Sequence, residues 1–117
     1  MTKINSKAKG SQGEREWANI CKDHGWNVRR TAQYCGNTGD ASDCVGLPGI
    51  HQEVKRVEKL NISTAMEQAK RDATESNLKP IVAHRKNHGK WLVTMDAELF
   101  FEMYGEWYSG MYLKENK

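Results

Sequence analysis

One stretch narrows the folds open to this chain more than any other: Asp43-Cys-Val-Gly46, then Leu47-Pro48-Gly49, then Ile50-His-Gln-Glu-Val-Lys-Arg-Val57. Two runs that suit strands flank a compact turn, which predicts a β-hairpin. A three-residue connection needs positive φ at its third position, and Gly49 stands there. With that turn Gly46 faces Ile50, and counting back sets Asp43 opposite Glu53 on one face. A two-residue turn would instead send Asp43 to the other face. Glu53 and Lys55 are two apart and share a face, while Val54 points the other way, into the core. The hairpin thus gathers one acid from each strand and a lysine.

Facing carboxylates repel, and a divalent cation is the simplest reason to tolerate them. Hard ions such as Mg²⁺ take oxygen ligands, usually one or two carboxylates with waters and substrate phosphate. Lys55 adds a positive charge for a phosphate or an attacking hydroxide, so the set suits metal-assisted hydrolysis of a phosphodiester. A solvated hairpin with surface charges is the bland alternative. Asp40, in a glycine-rich loop, is a rival acid whose direction is unconstrained.

Upstream, Trp17, Ile20, Cys21 and His24 recur at helical spacing, predicting a helix from Ser11 to about His24 that stops at Gly25. Glu14 lies on its inward stripe with Trp17, Ala18 and Cys21. The spacing of Ser11-Gln-Gly-Glu14 favours a capping box over a functional role for Glu14. Residues 26–31 read as a short strand and 33–42 as a loop. After the hairpin, Ser63 or Thr64 caps a helix running to about Ser76, with Thr64 and Glu67 at capping-box spacing. Residues 80–84 and 90–94 read as strands around a turn containing Asn87-His88-Gly89. Asp96 caps a last helix from Ala97 to about Tyr104. The expected architecture is a single α/β domain with a central mixed sheet flanked by helices, in the order α-β-β-β-α-β-β-α.

A chain of 117 residues suits one domain, divided here into a flexible basic arm (1–10), a core (11–95) and a C-terminal aromatic segment (96–117). No apolar run approaches a membrane span, and the N-terminus has no signal-peptide stretch, so the expectation is a cytoplasmic protein with no membrane partner. Cys21, Cys35 and Cys44 lack metal-site spacing and read as free, reduced thiols. The net charge of +3 hides an asymmetry: residues 1–95 carry 16 Lys and Arg against 10 acids, and residues 96–117 carry two against five. A basic body fits a nucleic-acid partner bound through phosphates, with Lys3, Lys7, Lys9, Arg15, Arg29, Arg30, Arg56 and Lys59 as candidates. The acidic tail faces away from it. Within the tail, Phe100, Met103, Tyr104 and Trp107 are at helical spacing, which reads first as core and second as a subunit interface.

Four segments occur in order: Lys9-Gly10-Ser-Gln-Gly-Glu14-Arg15-Glu16, Gly25-Trp-Asn-Val-Arg-Arg30, Asp43 with Glu53-Val-Lys55, and Glu67-Gln68-Ala69. Together they resemble the archaeal-type Holliday junction resolvases and related phage proteins of the PD-(D/E)xK, restriction-endonuclease-like superfamily, over roughly residues 7 to 95. The resemblance implies a restriction-endonuclease-like fold and a Mg²⁺-dependent DNA endonuclease, Mn²⁺ substituting, that acts on branched DNA as a homodimer in a prokaryotic or phage-infected cell. It implies that Glu14, Asp43 and Glu53 hold the metal, with the Val54 carbonyl as a backbone ligand. Lys55 would orient the attacking water and Gln68 would support the site. Arg15 and Arg30 fall where the family places basic residues near DNA. Two features depart from the pattern: Ser42 stands where the family usually has Pro, and the loop Tyr34–Gly39 matches only loosely. A nickase, a flap or duplex endonuclease, and a catalytically silent DNA-binding module are the alternatives. Retention of Glu14, Asp43, Glu53 and Lys55 together speaks against the last.

Overall fold

The computed structural model describes residues 6–31 and 42–115, with side chains described for 9–31 and 42–111. Lys3, Cys35, Asp40, the loop Tyr34–Gly39 and the side chain of Lys7 lie outside the described residues.

The chain opens with helix α1, Ser6–Asp23, so it starts five residues earlier than the apolar periodicity suggests. Residues 6–10 are helical rather than part of a flexible arm: Ser-Lys-Ala-Lys is a run of adequate helix formers with no large apolar residue to mark a periodicity. The early start also removes the capping box, because Ser11 is interior to the helix and Glu14 is not at its first turn. At the other end the Gly25 N–H donates to the Lys22 carbonyl (2.9 Å) and the Trp26 N–H to the Cys21 carbonyl (3.0 Å), with Gly25 at φ +93°. This pairing is a Schellman stop, which needs the left-handed residue that glycine supplies.

Strands β1 (Arg29–Arg30), β2 (Cys44–Val45) and β3 (Ile50–Arg56) follow, then helix α2 (Ile62–Ala73), strands β4 (Lys79–Arg85) and β5 (Leu92–Met95), and helix α3 (Ala97–Glu115). The element order is the expected one. The cap of α2 is Asn61, whose side chain accepts the Thr64 N–H at 3.0 Å, rather than Ser63 or Thr64. Helix α3 starts after Asp96 as read, but the Asp96 carboxylate pairs with Lys70 (3.0 Å), and the helix runs eleven residues past Tyr104.

The strands form one sheet in the order β1-β2-β3-β4-β5, antiparallel except for β3 with β4. A parallel pair needs a crossover, and α2 provides it. Helix α1 covers one face, where Trp17, Ala18 and Cys21 pack with Val28, Cys44, Val54, Ile81 and Ala83. Helix α2 covers the other with Ala65, Met66 and Ala69 over Val82. Strand β3 is therefore covered on both faces, and its residues 51–54 are buried without interruption. The β2–β3 turn brings its backbone against the chain before β1. A Cβ on Gly46 (φ +123°) would lie 2.4 Å from the Asn27 carbonyl oxygen, so no other residue fits there.

Candidate functional site

The hairpin has the turn that the sequence predicts. Gly49 sits at φ +85° and the Ile50 N–H closes on the Leu47 carbonyl at 3.0 Å. Cys44 pairs with Gln52, which by continuation sets Asp43 beside Glu53. The regular ladder ends there. Ser42 Oγ accepts the Gln52 N–H (2.7 Å) and donates to the Cys44 carbonyl (2.6 Å), filling the gap between the strands with a side chain. The Asp43 carboxylate turns onto β3, and its Oδ2 accepts the Val54 N–H at 2.8 Å. A strand residue's carbonyl lies on the same edge as its N–H, so the Val54 carbonyl also faces the Asp43 side.

Glu53 is 1% exposed and Glu14 6%. Glu14, reaching over from α1, accepts Arg30 Nε at 2.9 Å, and Arg30 Nη2 donates to Ser11 Oγ at 3.0 Å. Glu14 is thus an inward acid held by an arginine from the neighbouring strand. On the α2 face Lys55 reaches Gln68 Oε1 at 3.5 Å. Burial, then the charge of Glu53 and more weakly that of Glu14, pushes the Asp43 carboxyl from 3.8 up to about 7, against the Val54 hydrogen bond and Lys55, which pull it down. Asp43 and Glu53, neighbours on the hairpin, and Glu14, near enough to act on the charge of Asp43, are oxygen donors of the kind a hard divalent cation takes, and such an ion supplies the positive charge that burial and like charge withhold. The residues present fit such an ion.

A sequence profile of the family described as "Phage putative PDDEXK endonuclease" matches residues 5–114. The chain belongs to the phage PD-(D/E)xK endonuclease family. Among solved structures, the fold is similar to that of Hjc, the Holliday junction resolvase of the archaeal hyperthermophile Archaeoglobus fulgidus. That match has 21% sequence identity and a TM-score of 0.57, and it covers 72% of this chain and 73% of Hjc. No curated protein sequence matches the chain. The restriction-endonuclease-like fold expected from the sequence is therefore the one found, and the family makes the chain a nuclease.

Asp43, Glu53 and the Val54 backbone meet where β2 stops, Glu14 and Lys55 lie near enough to act on the charge of Asp43, and Gln68 reaches the group through Lys55. The basic candidates separate into two groups. Arg15, Arg29 and Lys59 are exposed and Lys9 is half-buried. Arg30 is engaged by Glu14. Arg56 is largely covered: its Nε lies 3.6 Å from Glu16, without a hydrogen bond, and Nη1 donates to Gln12 at 3.3 Å. Its Cβ lies where a side chain on Gly13 would, so Arg56 locks α1 to β3. Glu16 also pairs with Arg85 at 2.9 Å.

Three buried polar residues have roles that the sequence does not reveal. Ser42 plugs the strand gap. Gln52 accepts Trp17 Nε1 at 2.8 Å, tying the strand to α1. His51 Nε2 sits 3.1 Å from Glu53 Oε1. The signal available was the run His51-Gln52-Glu53 in what becomes a central strand, where three successive polar residues each demand partners. Burial pushes the Cys44 thiol up to about 12 and raises Cys21, so both are inert packing thiols.

Proposed function

We propose that this nuclease is a Mg²⁺-dependent DNA endonuclease, Mn²⁺ substituting, that hydrolyses phosphodiester bonds in branched DNA such as Holliday junctions. The observation that carries the reading is the placement of Asp43, its carboxylate fixed on the Val54 N–H beside the buried Glu53, with Glu14 and Lys55 near enough to act on its charge. Glu14, Asp43, Glu53 and the Val54 carbonyl would hold the metal. When bound, the ion supplies Lewis acidity and a water of lowered pKa. Asp43 is anchored by the Val54 N–H and so presents its other oxygen in a fixed direction. Lys55, held by Gln68, places a positive charge where the attacking water and the charge on the phosphate develop. Arg30 keeps Glu14 inward. Arg15, Arg29, Lys59 and Lys9 supply exposed or half-exposed charge for phosphates, which predicts binding that weakens steeply with salt.

The same reading includes a homodimer formed through α3. Leu99 is buried where α3 leaves the domain, and from Phe100 to Met111 every residue is exposed. Phe100, Tyr104 and Trp107 form a ladder of ring contacts, 6.0 Å and 5.5 Å between centroids. Phe100, Tyr104, Trp107 and Met111 recur at four, three and four, the spacing of a helix–helix seam. Seven large apolar side chains about half exposed offer roughly 700 Å² per copy, near the ~800 Å² per partner of a stable interface. A second copy of the same helix matches such a seam, and two active sites suit paired cuts in a branched substrate. No helix among the described residues is long and apolar enough to cross a membrane. The proposed setting is the cytoplasm of a prokaryotic or phage-infected cell.

The test is one gel with labelled four-way junction, flap, duplex and single strand, each with Mg²⁺ or EDTA. Symmetric cuts confined to the junction and requiring Mg²⁺ support the reading. Cutting of flap or plain duplex alone moves the substrate to the nickase or duplex alternative. A mobility shift without any cleavage makes the chain a silent DNA-binding module.

A further inference from the structure

The three β3 residues that face α2 are His51, Glu53 and Lys55, spaced two apart. Lys55 is met by Gln68. Glu53 is met on its own strand by His51, 3.1 Å away, with both side chains 2% exposed. One turn beyond Gln68 on α2, Asp72 brings a carboxylate to the same place: a ligand atom from each of His51, Glu53 and Asp72 lies within 4.8 Å of the others. Nothing in the reaction proposed above uses His51 or Asp72. A buried imidazole still needs partners for its nitrogens, and here one of those partners is a carboxylate expected to hold metal.

We propose that His51 is a positioning residue for Glu53, backed by Asp72, and that it sets the metal affinity of the site; the inference rests on Glu53 being a metal ligand. A free glutamate carboxylate turns about its last torsion, which is broad and weakly restrained. The His51 contact engages Glu53 Oε1 and leaves Oε2 as the oxygen to present to the ion. The restraint is already in place in the folded chain, so its cost is met on folding rather than on binding metal. Groups behind a ligand that fix its orientation commonly change metal affinity or activity by roughly 10- to 100-fold when removed. Asp72, half-buried on α2, sets a carboxylate within 4.8 Å of the imidazole from the other helix layer, so the charge beside His51 depends on the packing of α2.

The experiment measures Mn²⁺ binding to the full chain without DNA, by calorimetry, in wild type, His51→Leu, His51→Gln and Asp43→Asn, with thermal unfolding in EDTA as a folding control. His51→Leu keeps most of the buried volume and removes the polar contact; His51→Gln keeps an amide donor near the position of Nε2. The expected result is a Mn²⁺ Kd about 10- to 100-fold weaker in His51→Leu and largely restored in His51→Gln, with one fewer site in neither. If His51→Leu does not fold, His51→Asn, whose amide is too short to reach Glu53, takes its place with the same expectation. An unchanged Kd in the donor-less variant while Asp43→Asn loses binding overturns the positioning role alone. Loss of one bound Mn²⁺ per chain in His51→Leu, unrestored by His51→Gln, also overturns it, because His51 would then be a ligand. Unweakened binding in Asp43→Asn overturns the metal site itself, and the positioning role with it.

Discussion

Asp43→Asn is expected to make the metal-free chain more stable while abolishing cleavage. In the folded chain burial and the neighbouring acids hold the Asp43 carboxyl at about 7, against 3.8 as its ordinary value. The folded state therefore keeps the proton up to about pH 7, while the unfolded state releases it near pH 4. Between those values raising the pH costs the folded state alone, so this group's unfavourable contribution grows from about pH 4 to pH 7 and is constant above. At ~1.36 kcal/mol per unit the full cost is about 4 kcal/mol, and backbone and water relaxation around a partly accessible group bring a working value to about 2 kcal/mol. That corresponds to roughly 8 °C in Tm for a domain of this size. Asparagine removes the charge, and its amide oxygen still accepts the Val54 N–H. Thermal unfolding followed by circular dichroism in EDTA should show Asp43→Asn above wild type by about that amount near pH 8, the gap closing toward pH 4. Adding Mg²⁺ should raise the wild-type Tm and leave the variant's almost unchanged. A variant less stable than wild type in EDTA near pH 8, or one stabilised equally by Mg²⁺, would refute the reasoning.

Lys55→Ala should lower the cleavage rate by about 10²-fold or more with junction affinity within about threefold of wild type, measured by single-turnover kinetics and gel shift. Gly46→Ala places a Cβ against the Asn27 carbonyl at a positive φ and should cost about 2 kcal/mol or more in urea unfolding. Trp107→Glu, on the exposed seam of α3, should convert a dimer to a monomer in analytical ultracentrifugation with the fold intact by circular dichroism; an unaltered dimer would move the interface elsewhere.

Much of the fold was legible because local physics and tertiary packing agree. The turn at Leu47-Pro48-Gly49 is set by local preference, with Gly49 supplying the positive φ, so the register and the neighbouring of Asp43 and Glu53 could be counted from it. Gly25 marked the end of α1 for the same reason. What was not legible depends on distant parts of the chain. Ser11 and Glu14 have capping-box spacing, but the helix begins at Ser6, and Glu14's partner is Arg30, sixteen residues away. Asn61 caps α2 in place of two nearby residues with equal propensity, which local sequence does not rank. Helix α3 is read only to about Tyr104 but runs to Glu115, because its apolar residues are spread around the helix and its periodicity is weak. The burial of His51, Gln52 and Glu53 follows from helices covering both faces of β3, which a hairpin taken alone does not reveal.

The central claim is that Asp43, Glu53 and a divalent cation form one catalytic site for DNA. It is tested most directly by incubating a labelled four-way junction with wild type, Asp43→Asn and Glu53→Gln, in Mg²⁺ and in EDTA, alongside a gel shift in EDTA. Wild type should cut only with Mg²⁺, and both variants should bind the junction and leave it intact. Cleavage by either variant at the wild-type rate with Mg²⁺, or by wild type in EDTA, would contradict the account.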